Sequence, residues 1–505
     1  MLRNLSLTTS GFKYNVFPVL YRPHAMCGRV ANHTDRGVQY IMRKYLLLLL
    51  VLVCASTSDA SLKGTHRFFS EPFKSGPEVT KTCVGCHDKL TKQIMQTVHW
   101  NWGKKQTIDG KTVEFGKKNA LGNSFCLAVP SNLSACTSCH AGYGWKDNTF
   151  DFGNTDNIDC LVCHETNGAY KKFPLGSGHP VYQGEKKEYP PGKVWEPVDL
   201  LAAARSIERP SRAACGACHF YSGGGDNYKH GDLDSTLANP SGEFDVHMGA
   251  KGLTCESCHK APDHDVKGEA LSVSPGSGPR AMGCTDCHKG DVHAIRILNI
   301  HMRRVACQTC HIPTYAKGSP TVLSWDWSAA GKNAGESADP LKIYDKARGE
   351  LVLGKDLVPT YMWYNGTVER VFMGDKIDPG KVVRLSAPRG DRSDPQSKIF
   401  PFKVLKAKQP YDLENRIIAV PNIFGPADSE TAYSATFDWN KAIEAGMKAA
   451  GLSYSGKYGW VETTTVWSLN HMVVPKEKAI RCRHCHGENG RIDWKGLGYP
   501  KDPRG

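Results

Sequence analysis

The sequence predicts a mainly α-helical fold with much irregular coil and a few short β-hairpins. Helical periodicity is clearest in FDWNKAIEAGMKAAGL, which ends at Gly451. The chain contains 50 Gly and 29 Pro in 505 residues, so the segments between helices are expected to be largely irregular. The runs KIYDKARGELVLGK and PTYMWYNGTVERVFMG are typical of hairpins, the second with an Asn365-Gly366 turn.

The segment MRKYLLLLLVLVCASTSDA, Met42 to Ala60, is typical of a secretory signal peptide. It has a basic start, a short apolar run and a small-residue end. The apolar run is too short to span a bilayer. Because a signal peptide stands at the start of a precursor, we expect translation to begin at Met42, with residues 1–41 an upstream extension. The mature protein is expected in the periplasm without a transmembrane anchor.

Eight Cys-x-x-Cys-His motifs follow the leader. This motif attaches c-type haem: two thiols bind the porphyrin and the His binds the iron. Zinc binding or disulfide pairing would not explain a His at every motif. The sequence therefore predicts eight covalently bound haem c groups. The motif cysteines are Cys83, Cys86, Cys136, Cys139, Cys160, Cys163, Cys215, Cys218, Cys255, Cys258, Cys284, Cys287, Cys307, Cys310, Cys482 and Cys485, and the proximal histidines are His87, His140, His164, His219, His259, His288, His311 and His486.

The composition agrees with this chemistry. Only 40% of residues are hydrophobic, and porphyrins would supply the missing apolar mass. The formal net charge is +14, which we interpret as neutralisation of haem propionates. We expect no nucleic-acid partner, since no nucleic-acid-binding motif is present.

The spacing of the motifs predicts three regions after the leader. Residues 61–311 carry seven motifs and form a seven-haem domain. Residues 312–480 carry none and form an insert of short hairpins followed by helices. Residues 481–505 hold the eighth motif and a tail. The run TTTVWSLNHMVVPKEKAIRCRHCH is expected to form a long helix leading to the eighth motif.

Histidines outside the motifs are candidates for the second axial position of each iron. A His there makes an electron-transfer centre, whereas an open or weakly held position admits substrate. The expected mature chain has ten such histidines. Of these, His179, in a loop, and His484, inside the eighth motif, are interpreted as bystanders.

One cysteine of the expected mature chain, Cys126, lies outside the motifs. Cys27 and Cys54 fall in the leader. A leftover cysteine in an exported protein suggests a reactive thiol, although a buried cysteine can also serve as a small apolar residue. Because Cys126 lies close to the second motif, we expect chemistry at the haem of His140.

The motif pattern resembles the octahaem tetrathionate reductase family of periplasmic multihaem c-type cytochromes. The strings CTSCHAGYGWKD and CGACHFYSGGGDNYKHGDL carry the resemblance, together with the long gap before the last motif. It covers nearly all of the mature chain and implies a mostly helical scaffold whose haems pack in a chain. It also implies a catalytic second haem with a Lys amine as distal ligand. The family's Asn-x-x-Cys and Asp-x-x-Lys pairs match Asn123 and Cys126, and Asp226 and Lys229.

If Lys229 takes one iron, seven distal histidines are needed and His230 is surplus. Lys146 and Lys172 remain alternative ligands, and Lys229 could instead pair with a propionate. Asp226 is a candidate to orient the amine or donate a proton, and Cys126 to contact substrate sulfur. The expected distal histidines are His66, His99, His247, His264, His293, His301 and His471.

The resemblance implies an oxidoreductase that reduces tetrathionate to thiosulfate, or nitrite or hydroxylamine. A partner cytochrome or quinol-linked donor would supply electrons. Two alternatives stay open: a multihaem electron carrier without a substrate site, and a hydroxylamine oxidoreductase-like enzyme, which needs a Tyr cross-linked to the porphyrin. Pentahaem nitrite reductases replace one motif His by Lys. Because all motifs here end in His, that enzyme is disfavoured.

Overall fold

The computed structural model describes residues 66–108, 110–121, 129–190, 192–268, 282–335 and 337–504. These residues belong to one unit. The predicted upstream extension and signal peptide lie outside the described residues, as do Asn123 and Cys126. Within the described ranges, no helix is long and apolar enough to cross a membrane.

Residues 66–311 form short helices and two small hairpins joined by loops. The longest helix, Gly76–Ile94, begins after Ser75, whose side chain accepts a hydrogen bond from the Glu78 backbone. The first motif lies within this helix, and each of the other motifs lies on or beside a short helix. The helices are α1 (Gly76–Ile94), α2 (Val98–Asn101), α3 (Leu133–Cys136), α4 (Leu161–His164), α5 (Leu200–Arg205), α6 (Arg212–His219), α7 (Cys255–Cys258), α8 (Cys284–Cys287), α9 (Arg296–His301) and α10 (Cys307–His311), and the hairpins pair β1 (Lys104–Ile108) with β2 (Lys111–Phe115) and β3 (Lys187–Glu188) with β4 (Val194–Trp195).

The mainly α-helical prediction is wrong, because the segment from 321 to 468 forms a nine-stranded mixed sheet. The strand order is β6-β7-β5-β11-β13-β10-β9, and β8 and β12 also pair with β11. The β5–β11 and β10–β13 pairs are parallel. The strands are β5 (Thr321–Asp326), β6 (Lys342–Asp345), β7 (Gly349–Gly354), β8 (Thr360–Tyr364), β9 (Val368–Arg370), β10 (Val383–Pro388), β11 (Lys398–Asp412), β12 (Ile417–Ile418) and β13 (Tyr458–Ser468).

Strand β11 is the centre of this sheet. Its sequence KIFPFKVLKAKQPYD contains lysines and prolines that interrupt the alternation expected of a strand. One of these lysines, Lys403, is nevertheless 0% exposed. The strand bonds to β13 along 11 residue pairs on one side, and to β8 and β5 on the other. Because of these lysines and prolines, the longest strand among the described residues could not be recognised from the sequence.

The local predictions for this region have mixed outcomes. The first predicted hairpin is confirmed as β6–β7. The second is wrong, since β8 bonds to β11 and β9 bonds to β10 on either side of the Asn365-Gly366 turn. The long helix predicted before the eighth motif is also wrong. Its first residues form β13, where the β-branched run TTTV suits a strand, and only a short helix, Cys482–Cys485, follows at the motif.

The predicted helix ending at Gly451 is confirmed. Two helices follow β12, namely α11 (Tyr433–Thr436) and α12 (Trp439–Ala449), and the motif helix Cys482–Cys485 is α13. The Asp438 side chain caps α12 by accepting from the Lys441 backbone. Gly451 follows the helix with φ of +70°, a conformation that glycine adopts without strain. Helix α12 buries Ala442, Ile443 and Met447 in the core cluster of the sheet, so this core does not depend on porphyrins.

The sheet region also contacts the neighbourhood of the second motif. Asn132 precedes α3, and its side-chain oxygen accepts from the backbones of Ile423 and Phe424 at 2.8 and 3.0 Å. The Ser131 hydroxyl donates to the Pro421 carbonyl at 2.7 Å. Residues after β12 therefore support the helix that carries Cys136.

Candidate haem sites and active site

Seven of the eight motif histidines face a second histidine ring, with ring centroids 6.2–6.4 Å apart. A metal–imidazole bond is about 2 Å long, so two rings on opposite sides of one metal have centroids about 6 Å apart. The pairs therefore fit the two axial positions of a haem iron. They are His87 with His66, His219 with His99, His164 with His264, His288 with His247, His259 with His471, His311 with His293, and His486 with His301. Each histidine selected as distal from the sequence lies in one pair.

The hydrogen bonds of these rings also suit metal binding. In seven of the paired histidines Nδ1 contacts an oxygen acceptor, which orients the ring and leaves Nε2 for a metal. The contacts are His164 with Glu208 O, His259 with Lys267 O, His264 with Gln93 Oε1, His293 with Asn299 Oδ1, His301 with Ile297 O, His471 with Asp232 Oδ2, and His486 with Asp502 Oδ1.

The remaining motif histidine, His140, has a different environment. It is 0% exposed, and within the described residues no second histidine ring faces it. Five aromatic rings surround it instead, with centroids 4.8–6.4 Å away. They belong to Trp100, Trp102, Trp145, Phe150 and Phe152. The second motif therefore offers one imidazole in an aromatic pocket.

The orientation of the His140 ring is also reversed. Its Nε2 lies 2.6 Å from the Trp100 carbonyl, and Nδ1 has no hydrogen-bond partner among the described residues. Burial, together with the nearby charges of Lys172 and Lys117, lowers the pKa of His140 to about 3. The ring is therefore neutral at physiological pH, which is the form in which an imidazole can bind a metal.

Two of the lysines considered as ligands occupy other positions. The Lys172 ammonium forms a buried salt bridge with Asp159 at 2.9 Å and donates to the carbonyls of His140 and Gly142 at 2.5 and 3.1 Å. All three protons of the Lys172 ammonium are thus directed to oxygen acceptors. Lys146 is exposed.

Lys229 is buried, with 9% of its surface exposed. Its Nζ lies 4.9 Å from the centroid of the Trp467 ring. Burial and surrounding positive charge, including that of Lys229, lower the pKa of His219 to about 3. Lys229 therefore lies near the fourth motif.

Asp226 makes its described contacts with two serines. Its carboxylate accepts from the Ser235 backbone and hydroxyl at 2.9 and 2.6 Å, and from the Ser319 hydroxyl at 2.7 Å. These bonds hold the loop that leads to Lys229.

Three histidines lie outside the pairs. The His230 ring is 5.2 Å from that of Trp467, close to Lys229. His179 bonds to the Tyr182 hydroxyl at 2.7 Å, and His484 accepts from the Arg481 backbone at 2.8 Å. The last two therefore have local hydrogen bonds within their own segments.

Contacts between cysteines of different motifs reveal which motifs are neighbours. The Cys218 thiol lowers the pKa of Cys139 well below its ordinary value, so the second and fourth motifs touch. With haem attached these sulfurs would be thioethers and would not titrate, but their positions would bring the attachment edges of the two porphyrins close together. The same kind of contact joins Cys83 to Cys160, Cys215 to Cys255, and Cys284 to Cys307.

Weaker interactions complete the order of motifs. The charge of Cys163 raises the pKa of Cys215, that of Cys287 raises the pKa of Cys258, and that of Cys485 raises the pKa of Cys310. With the direct contacts, they give the order first, third, fourth, fifth, sixth, seventh and eighth motif. The second motif, with His140, branches from the fourth.

The chain is similar to known multihaem cytochromes. Residues 322–489 match the family "Cytochrome c bacterial", and residues 241–312 match "Cytochrome c7 and related cytochrome c". The crystal structure of octaheme cytochrome c from Shewanella oneidensis is 43% identical, with a TM-score of 0.78, and the match covers 86% of this chain and 96% of that chain. The chain belongs to the octahaem cytochrome c family. A further similar chain, an uncharacterized protein of Archaeoglobus fulgidus, is 28% identical over 273 residues, which are 44% of this chain and 91% of that protein.

Family membership confirms the resemblance drawn from the motifs and identifies this octahaem cytochrome as a redox protein with c-type haems. One residue near His140 was missed from the sequence. Lys117 lies with its Nζ 4.0 Å from the centroid of Trp102, whose ring is 5.5 Å from that of His140. Only tertiary packing distinguishes Lys117 from the adjacent Lys118, so no sequence signal could have found it.

Asp232→Asn is expected to raise the midpoint potential of the haem at the fifth motif of this octahaem cytochrome. Burial alone would lower the pKa of His471, but the bond to Asp232 at 3.2 Å raises it above its ordinary value. A carboxylate on an axial imidazole makes the ligand more basic, and its charge favours ferric iron. Spectroelectrochemical titration measures the change.

Asp245→Asn is the matched control for this variant. Asp245 accepts from the backbone of Met472, next to His471, at 2.9 Å. It therefore supports the same segment through the backbone, and its charge raises the pKa of His471 less than that of Asp232 does, so a smaller shift is expected from Asp245→Asn. An unchanged potential in Asp232→Asn, or an equal shift in both variants, would contradict the role of Asp232.

Proposed function

We propose that the protein is a periplasmic octahaem reductase, in which seven haems transfer electrons and the haem at His140 reduces substrate. One observation carries the proposal: seven motif histidines face a second histidine, whereas His140 lies in an aromatic pocket without one among the described residues. An iron between two histidines has no position for substrate. The second haem would supply that position and the electrons.

Lys229 is the proposed distal ligand at this haem, as the family resemblance implies. Two features support the proposal. The charge of Lys229 lowers the pKa of His219, so Lys229 lies near the fourth motif, and the contact between Cys139 and Cys218 joins the fourth motif to the second. A lysine amine binds metal only when deprotonated, and its flexible stem lets it leave. Asn123 and Cys126 are proposed, from the resemblance alone, to line the same pocket.

The charge around His140 favours an anionic substrate. The charges of Lys117 and Lys172 both lower the pKa of His140, although Lys172 is paired with Asp159. Lys229 would add a positive side chain near the adjoining motif once it has left the iron and taken up a proton. Positive charge in a buried site raises the local concentration of anions. We therefore rank tetrathionate and nitrite before the neutral hydroxylamine. Tetrathionate takes two electrons, its central S–S bond breaks, and two thiosulfate ions form.

Electrons are proposed to reach the second haem through the fourth. The donor would be a partner cytochrome or quinol-linked protein that contacts a haem at one end of the order. Because the second motif touches the fourth through Cys139 and Cys218, the fourth haem is the branch point. No part of this proposal needs a membrane-spanning segment.

Steady-state assays with reduced methyl viologen test the function. We expect saturable oxidation of the dye by tetrathionate, with two thiosulfate ions formed per two electrons, and slower turnover of nitrite and hydroxylamine. Full haem reduction by the dye without turnover of any substrate would favour the electron-carrier alternative. Hydroxylamine oxidation by an oxidised acceptor, without reduction of tetrathionate, would favour the hydroxylamine oxidoreductase-like alternative.

A further inference from the structure

We propose that Lys403, on strand β11 of the haem-free sheet, is a positioning residue that fixes the backbone of Lys229. The inference rests on the proposed role of Lys229 as distal ligand. Lys403 is 0% exposed, and its ammonium donates to the carbonyls of Tyr228 and Lys229 at 2.7 and 2.9 Å and to the Thr321 hydroxyl. An ammonium has three protons, and all three have acceptors here.

A buried ammonium group destabilises a sheet unless its hydrogen bonds offset the loss of hydration. Moving the charge out of water costs free energy that an apolar side chain of similar length would not cost. Two of the three bonds of Lys403 end on consecutive carbonyls, those of Tyr228 and Lys229. Lys403 therefore fixes the short backbone segment that carries the proposed ligand.

Strand β13, which pairs with β11, contacts the side chain of Lys229. Lys403 and Trp467 are direct partners in the β11–β13 register. Directly opposed residues of an antiparallel pair lie on the same face of the sheet. One face thus presents two neighbours, of which Lys403 binds the main chain of Lys229 and Trp467 lies 4.9 Å from its Nζ.

The loop around Lys229 is held from its other side as well. Asn227 has φ of +66°, and its side-chain amide donates to the carbonyls of Gly231 and Ser319 at 3.3 and 2.7 Å. The Thr321 hydroxyl donates to the Asn227 carbonyl at 2.7 Å. With these bonds, Lys403 completes a rigid frame, and the position of the Lys229 amine is set by the sheet and not by the loop alone.

The test is Lys403→Met, compared with Lys229→Ala and the double variant. Ferric EPR should show that Lys403→Met gains the high-spin signal of Lys229→Ala, at one haem per protein. Tetrathionate kcat/KM should fall ~10–100-fold, the size of effect that a small misplacement produces. In the double variant the signal should equal that of Lys229→Ala, because the two changes act on one ligand.

Lys317→Met is the control for loss of a buried lysine. The Lys317 ammonium donates to the carbonyls of Phe244 and Met472 at 2.6 and 2.9 Å. Its variant should lower the melting temperature without a high-spin signal, because the neighbouring ligand His471 keeps its own bonds to Asp232. A Lys403→Met protein that is only less stable, with a native ferric spectrum, would overturn the inference while leaving the role of Lys229 intact. A native spectrum in Lys229→Ala would instead remove the proposed ligand.

If Lys403→Met does not fold, Thr321→Val carries the test. It removes one acceptor of the Lys403 ammonium and the bond to Asn227 but keeps the charge in place. A partial high-spin signal supports the inference, and a native spectrum overturns it.

Discussion

Lys229→Ala should yield a ferric protein with one high-spin haem in place of a low-spin one. Loss of the amine leaves that iron with His140 and water, whereas the paired histidines keep the other irons low-spin. Tetrathionate kcat/KM should fall about 10–100-fold, because a charge-assisted hydrogen bond from a displaced ammonium to an anionic substrate contributes roughly 1.5–3 kcal/mol. Ferric EPR and steady-state kinetics on the same preparation measure both effects.

Lys117→Ala is the matched comparison. Both lysines lower the pKa of His219. Lys117 differs in its position, since its Nζ lies 4.0 Å from the centroid of Trp102 in the pocket of His140. We expect Lys117→Ala to raise KM for tetrathionate and leave the ferric spectrum unchanged. A high-spin signal in Lys117→Ala, with a native spectrum in Lys229→Ala, would assign the ligand to Lys117.

His99→Met should slow turnover by making the branch-point haem an electron trap. His99 faces His219 in the fourth motif, with ring centroids 6.3 Å apart. Replacing one imidazole with a thioether raises the potential of a c-type haem. A rise of ~120 mV makes the onward one-electron step about 100-fold less favourable, at 59 mV per factor of ten. Spectroelectrochemistry should show one raised midpoint, and stopped-flow mixing with tetrathionate slower reoxidation of the other haems.

His66→Met and His301→Met are the controls, since they alter the first and eighth motifs at the two ends of the order. Electrons entering at one end bypass the other, so one of these two variants should keep the turnover of the unmodified protein. Equal turnover in His99→Met and the unmodified protein would contradict the branch at the fourth motif.

The motifs of the haem-bearing region could be recognised from the sequence because each is a short local pattern. The Cys-x-x-Cys-His spacing fixes two sulfurs and a ring within one helical turn, and the offsets of His264 and His293 from the preceding motifs are short. The seven histidines expected to be distal ligands all face motif histidines in the structure. Which motif each one faces was not predictable from the sequence. His99 faces His219, and His471 faces His259, each across more than a hundred residues.

The sheet escaped prediction because its central strand lacks the apolar alternation on which such predictions depend. Lys403 in β11 is buried by tertiary hydrogen bonds that no local pattern reveals. The serine contacts of Asp226 and the position of Lys117 over Trp102 likewise depend on segments distant in sequence. The haem motifs can thus be recognised from the sequence. The residues that surround the proposed active site cannot, because their positions depend on long-range packing.

Quantitative EPR of the ferric protein, together with a haem count from the pyridine haemochrome assay, tests the central claim that one haem differs from the others. The account predicts eight haems per chain, with seven bis-histidine low-spin signals and one distinct signal. That distinct signal should be the one altered in Lys229→Ala. Eight bis-histidine signals, unchanged in that variant, would contradict a substrate site at His140.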